Sequence, residues 1–294
     1  MRYSPSSNLG KVIGSLARMG RRYGAEWWIL VAGGLIVGGI ILMALLAPLL
    51  APFDPHDQAA GPQLSPPGRA HPLGTDNLQR DVLSRIIFGA RTILGVAIMA
   101  AIVTSLVGTI TGLVSGFSGG VLDKILSLTM DSVYSFPGLI LAVAFAAMLG
   151  PGIASITIAV AVVYIPTYFR LVRGQTLTIK EELYVEAARA IGAPPRVVLG
   201  KYIFPNVIAT TVVVFTMSVG DAIMIEAALT YLGLGLPPDV VDWGMDLAMG
   251  KKFLPSGQWW LITFPGAMIS LLALGFTMLG EGLAEILNPR LLER

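Results

Sequence analysis

Six stretches of this chain are each long and apolar enough to cross a lipid bilayer, and no other feature of the sequence restricts the fold as much. The hydrocarbon core of a membrane is about 30 Å thick, so a spanning helix needs roughly 20 mostly apolar residues. Runs of that kind lie at Trp27 to Leu50, Thr92 to Phe117, Leu128 to Leu149, Ile153 to Phe169, Val207 to Leu229 and Trp259 to Leu279. A backbone in lipid has to satisfy its own hydrogen bonds, which makes each run a helix. The predicted fold is therefore all-α, a polytopic membrane protein with six transmembrane helices. Composition agrees, because 54% of the 294 residues are hydrophobic and only 13% charged. A net charge of +2 is too small to point to nucleic acid, and the absence of cysteine excludes disulfides, thiolate metal sites and a catalytic thiol.

The distribution of charge predicts an orientation. Arg2, Lys11, Arg18, Arg21 and Arg22 precede the first run, as in a signal peptide. That run exceeds the roughly 7 to 15 apolar residues of a signal sequence, so it reads as an uncleaved anchor. With the N-terminus in the cytoplasm, the tails, the 118–127 turn and the 170–206 segment share one side and hold 14 of the 20 Lys and Arg residues. Positive charge favours the cytoplasmic side, which supports this arrangement. The chain then divides into a cytoplasmic tail (1–26), a first helix (27–50) and an extracytoplasmic loop (51–91) that ends in the amphipathic "LQRDVLSRIIFGAR". A five-helix core (92–285) follows, with a cytoplasmic loop at 170–206 and an outer loop at 230–258, and residues 286–294 form a cytoplasmic tail.

Within the runs, Gly34 and Gly38, and then Gly108, Gly112 and Gly116, recur at helical spacing. Such ridges let helix backbones approach closely, so they mark helix contacts. Asp131, Asp221 and Glu226 lie in or at the ends of apolar runs, where a central charge costs at least about 2.5 kcal/mol. They are either translocation-path or gating residues or solvated groups at span ends. Asp239, Asp242 and Asp246 with His56 and His71 form no compact ligand set at the spacing a metal needs.

The polar segment after Phe169 carries its own signals. "TIKE" at 178–181 fits a capping box with Thr178 as N-cap, and Gly192 followed by Pro194 and Pro195 ends a helix, which is expected from Ile179 to Ile191. Leu183, Ala187, Ala190 and Ile191 make one stripe on it, and Glu182, Glu186 and Arg189 another. The small Ala187 and Ala188 leave room for a partner beside Glu186. The helix is thus a docking element or an ordinary amphipathic interfacial helix. A second short helix is expected from about Pro195, leading through Lys201 and Tyr202 to Pro205.

"EAARAIG" at 186–192, followed by "IFPN" at 203–206, resembles the EAA loop in the membrane subunits of ATP-binding-cassette (ABC) importers. Glu186, Ala187, Ala188 and Gly192 take that motif's named positions, and Phe204 stands where leucine is usual before Pro205. "LGTDNLQRDVLSRIIFGART" at 73–92, "DSVYSFPGLILAV" at 131–143, "EAALTYLGLGLPP" at 226–238 and "NPRL" at 288–291 resemble the second permease of dipeptide, oligopeptide and nickel importers. Gln79 replaces the glycine usual there, which puts the local turn in question.

The resemblance implies a multi-pass subunit of the bacterial cytoplasmic membrane. Its loop, with Glu186, Ala187, Ala188, Arg189, Gly192 and Pro205, would be a coupling helix seated on a partner ATPase. A second related permease, two ATPase subunits and an extracytoplasmic substrate-binding protein would complete the importer. The chain has no phosphate-binding loop: its Gly200–Lys201 pair is followed by Tyr202, and Pro195 stands where the first glycine belongs. ATP and magnesium would therefore reside on the ATPase, and the chain would be non-catalytic with no cofactor. Peptides are the expected substrate, with nickel chelates or glutathione as the alternative. A secondary transporter would show repeated halves, and an intramembrane prenyltransferase paired Asp-rich motifs; neither is present.

Overall fold

The structure is a computed structural model and describes residues 24–286. The basic N-terminal cluster and the "NPRL" stretch lie outside the described residues.

Helix α1 (Ala25–Leu45) is followed after Leu46 by a single further turn, Ala47–Leu50. Helix α2 (Val82–Ser118) has 37 residues. At about 1.5 Å per residue it is roughly 55 Å long, well beyond the bilayer core. It therefore absorbs most of the amphipathic stretch assigned above to the outer loop. Asp81 caps it, its carboxylate accepting from the Ser84 amide at 2.8 Å. The break that follows is the Gly119–Gly120 pair, both at positive φ, rather than a ten-residue turn.

The third run is not one straight span. It forms α3 (Gly120–Tyr134) and α4 (Gly138–Leu149), bent by 93° at Ser135–Phe136–Pro137. Pro137 has no amide to donate and disfavours helical backbone at Phe136, so the apolar run continues while the helix does not. Helix α5 (Ile153–Ile179) in turn runs ten residues past Phe169, the expected end of the fourth span. After α6 (Leu183–Ala190) the chain passes through Pro195–Val197 and a π-helical turn, Val198–Ile203, into α7 (Phe204–Tyr231). The expected second helix is thus continuous with the fifth span. Pro205 lacks an amide and its ring crowds the carbonyl four residues back, which accounts for a widened turn just before it. Helix α8 (Trp243–Gly250), a 3₁₀ segment (Lys251–Ser256) and α9 (Trp260–Ile286) complete the order. Among the described residues five helical segments can span a membrane, or six with α3 and α4 counted together.

The ridge of Gly108, Gly112 and Gly116 packs on α5. A methyl group at any of the three would collide with Tyr168, Phe169, Val172, Arg173 or Thr176. The other ridge is corrected: Gly38 faces open space and Gly34 meets only the tip of Leu279. The contact between α1 and α9 runs instead through Gly33, Gly275 and Gly282, each pressed against the opposite helix. Nearly every residue of α1 is apolar, so hydropathy leaves the rotation of that helix undetermined.

The 51–81 segment is folded onto the helix ends. Buried His71 meets Asp81 at 2.9 Å, Arg80 pairs with Asp76 at 2.6 Å, and the Trp260 indole donates to the Thr75 carbonyl at 3.1 Å. Gln79 keeps the left-handed turn with φ of 63°, a conformation in which glycine would be unstrained.

Candidate coupling site

Helix α6 projects from the bundle beside the ends of α2, α5 and α7. Its start differs from the expected capping box. Thr178 lies inside α5 and its hydroxyl donates back to the Gly174 carbonyl at 3.2 Å, while extended Glu182 precedes α6 without a side-chain cap. The threonine satisfies a carbonyl of its own helix because α5 carries on through the polar residues. The end agrees with expectation. Gly192 has φ of +83°, its amide donates to the Arg189 carbonyl at 2.9 Å, and the Ala193 amide donates to the Ala188 carbonyl at 3.0 Å. These two bonds form a Schellman closure.

The seat beneath α6 is apolar. Val185 and Ala188 are buried, and Val185 joins a cluster with Leu113 of α2, Val172 of α5, Val198 and Ile203 of the π-helical turn and Val207 of α7. Ala188, expected to leave room for a partner, is instead buried. Polar ties add to it. Lys180 donates to the Gly116 carbonyl at 3.1 Å, Asn206 to the Tyr184 hydroxyl at 3.3 Å, and the Arg189 guanidinium lies 5.5 Å from the Phe117 ring centre. Pro205 is exposed in the first turn of α7.

The outward face has the opposite character. Leu183 and Ile191 are 81% and 84% exposed, and Ala187, Ala190, Glu182 and Glu186 are exposed with them. Apolar side chains this exposed, flanking two carboxylates on a helix fixed from behind, make a surface suited to a protein partner.

The charged groups in the spans fall in different settings. Asp131 on α3 pairs with Arg170 on α5 at 2.7 Å, both half-exposed, and the guanidinium lies 4.0 Å from the Tyr134 ring centre. Asp221 is exposed on α7 and makes no ion pair among the described residues. Glu226 is buried where α7 meets α8. Sequence reasoning missed Asp123, which meets Arg173 at 2.5 Å and also accepts from Ser115. No spacing signalled it: with Asp131–Arg170 it makes a second ion pair joining α3 to α5, a pairing between helices that only the fold reveals. Three of the five residues considered for a metal are engaged elsewhere. His71 faces Asp81, Asp246 pairs with Arg85, and Asp242 caps α8.

The described residues thus form a bundle with five or six segments able to cross a membrane, from which a short helix with an apolar seat is held out. The family described as binding-protein-dependent transport system inner membrane component matches residues 108–293, and the N-terminal transmembrane domain of oligopeptide transport permease C matches residues 28–67. The chain is 38% identical to the glutathione transport system permease protein of Salmonella typhimurium, over 92% of this chain and 89% of that one. It is 36% identical to the dipeptide transport system permease protein of Alkalihalophilus pseudofirmus, over 89% and 86%. Against the probable D,D-dipeptide transport system permease protein of Escherichia coli it is 35% identical, over 88% and 87%. The chain belongs to the family of inner-membrane components of binding-protein-dependent transport systems, and it is a multi-pass protein of the inner membrane.

Proposed function

We propose that the chain is the permease subunit of an ATP-driven importer of peptides, with α6 as the coupling helix. The observation that carries this reading is the two-faced α6. Val185 packs it against residues of α2, α5, the π-helical turn and α7, Ala188 is buried, and Leu183, Glu186, Ala187 and Ile191 are exposed among the described residues. A helix anchored in this way moves as one body with α5 and α7, so force applied to its outer face reaches the spans. A partner that grips α6 differently in two states shifts the bundle between two arrangements.

In this reading α6 lies on the cytoplasmic side, where an ATPase subunit holds it and Glu186 pairs with a basic group of that subunit. ATP and magnesium belong to two ATPase subunits, and this chain binds no cofactor and catalyses nothing. A second, related permease covers α3, which has no buried residue although Val121, Ile125 and Leu128 lie on it. The path runs between the two permeases, with Asp131 and Asp221 as lining groups and Glu226 as a gating position. A substrate-binding protein delivers cargo at the face formed by 51–81 and 230–258.

Peptide cargo fits the dipeptide permeases among the relatives, and glutathione, itself a small peptide, is favoured as a second reading by the 38% identity to its permease. Glu186→Lys tests the coupling role. It is expected to leave the protein in the membrane and abolish both ATPase association and peptide uptake. Full uptake by the variant would refute the assignment.

A further inference from the structure

Two buried carboxyl groups face each other where α7 meets α8, and neither makes an ion pair among the described residues. Glu226 on α7 is 0% exposed, and neither of its carboxyl oxygens has a hydrogen-bond partner. Asp242, at the head of α8, is also 0% exposed and lies beside Glu226. Its Oδ1 accepts from the Met245 amide at 3.0 Å, and its Oδ2 has no partner. The packing keeps solvent away. A side chain at Gly244 would collide with the Thr230 hydroxyl and the Ala227 carbonyl, and the buried Trp243 indole donates to the Ile86 carbonyl at 2.9 Å.

The charges around the pair do not relieve it. Arg85 on α2 is the guanidinium within electrostatic reach of Asp242, yet it is already engaged. Its Nε and Nη2 donate to Asp246 at 2.9 and 2.5 Å, and its Nη1 donates to the Pro55 carbonyl at 3.1 Å. Asp246 on α8, the partner of Arg85, adds negative charge beside Asp242. Thr230 on α7 brings a hydroxyl but no charge. Two ionised carboxylates side by side in such a place repel each other and leave three oxygens without a donor. One proton supplies the missing donor and removes one of the charges.

We propose that Glu226 and Asp242 form a proton-binding site, in which one shared proton latches α8 onto α7. With the proton in place, one carboxyl donates to the other and the head of α8 is held. When it leaves to solvent, both groups are anionic and the contact between α7 and α8 loosens. Burial acts in the same direction on Asp242, pushing its carboxyl up from the ordinary range against the opposing pull of the Met245 amide and of the Thr230 and Glu226 side chains. For a carboxyl raised in the folded state, stability is full in acid and is lost as pH rises.

The test measures thermal midpoints of the full-length protein in lipid nanodiscs from about pH 6 to about pH 9, a window above ordinary carboxyl values. Wild type is expected to lose roughly 3 °C per pH unit within that window. Glu226→Gln, and Asp242→Asn, which retains a side chain able to cap α8, are expected to flatten the dependence and exceed wild type at the alkaline end. Hydrogen exchange of residues 243–250, corrected for its intrinsic pH dependence, should rise with pH in wild type and not in Glu226→Gln. Wild type and both variants declining in parallel would overturn the proposal, as would variants that melt lower at every pH. A calcium or sodium effect on the midpoint of wild type that both variants lack would show a cation in place of the proton, and would overturn it too.

Discussion

The amide of Ala193 donates to the carbonyl of Ala188 at 3.0 Å, and this bond fixes both the end of α6 and the inward position of Ala188. It exists because Gly192 between them adopts φ of +83°. A residue with a Cβ pays about 1–2 kcal/mol there, and a β-branched one is the least tolerant.

Gly192→Val is therefore expected to fray the end of α6 without unfolding the bundle. Membrane abundance should remain near wild type, while ATPase co-purification and uptake drop at least tenfold, as measured on the same membranes. Gly192→Asn, able to enter the left-handed region, should retain a substantial part of both. Equal loss of function in the two variants would mean that backbone conformation at residue 192 is not the cause.

Helix packing makes a second, sharper contrast. A Cβ at Gly112 would lie 2.8 Å from the Phe169 carbonyl oxygen, whereas nothing lies within 4 Å of one at Gly38. Gly112→Val should cost about 1–3 kcal/mol by forcing α2 from α5. Gly38→Ala should be neutral or should stabilise by up to about 1 kcal/mol, since glycine in a helix interior is unfavourable. Thermal midpoints in nanodiscs distinguish the two, and a stable Gly112→Val variant would refute the packing.

The turn at residue 79 predicts a gain. Gln79 has φ of 63° between Leu78 and Arg80, whose amides both bond the Asp76 carboxylate, at 2.8 and 2.9 Å. Gln79→Gly relieves about 1–2 kcal/mol of strain and loses about half of that to the greater freedom of glycine in the unfolded chain. The midpoint should rise by roughly 1–2 °C, and a fall would mean that the glutamine side chain makes a contact of its own.

How much of this was legible in the sequence depended on whether a residue's role is local. The stop at Gly192 and the ridge at Gly108, Gly112 and Gly116 rest on conformational freedom and helical spacing, which a sequence displays directly. The bend at Pro137 was marked by the proline, but hydropathy adds up across Ser135–Phe136–Pro137 as if the helix were straight. The extension of α5 past Phe169 could not be seen, because Arg170 and Arg173 are accommodated by Asp131 and Asp123 on another helix. The same holds for Gly33 in place of Gly38 and for the inward turn of Ala188. Helix rotation is decided by the neighbour, and an apolar helix or a run of alanines carries little record of it.

The central claim is that the outer face of α6 is where a partner ATPase grips this chain. Its most direct test places a photoreactive benzoylphenylalanine at Ala187 and, as a control, at exposed Gln58 in the outer segment, within the assembled importer in membranes. Illumination should join position 187 to the ATPase subunit, with a yield that changes when ATP is bound, and should not join position 58 to it. An adduct to the ATPase from position 58, or none from position 187 in an importer that still transports, would contradict the account.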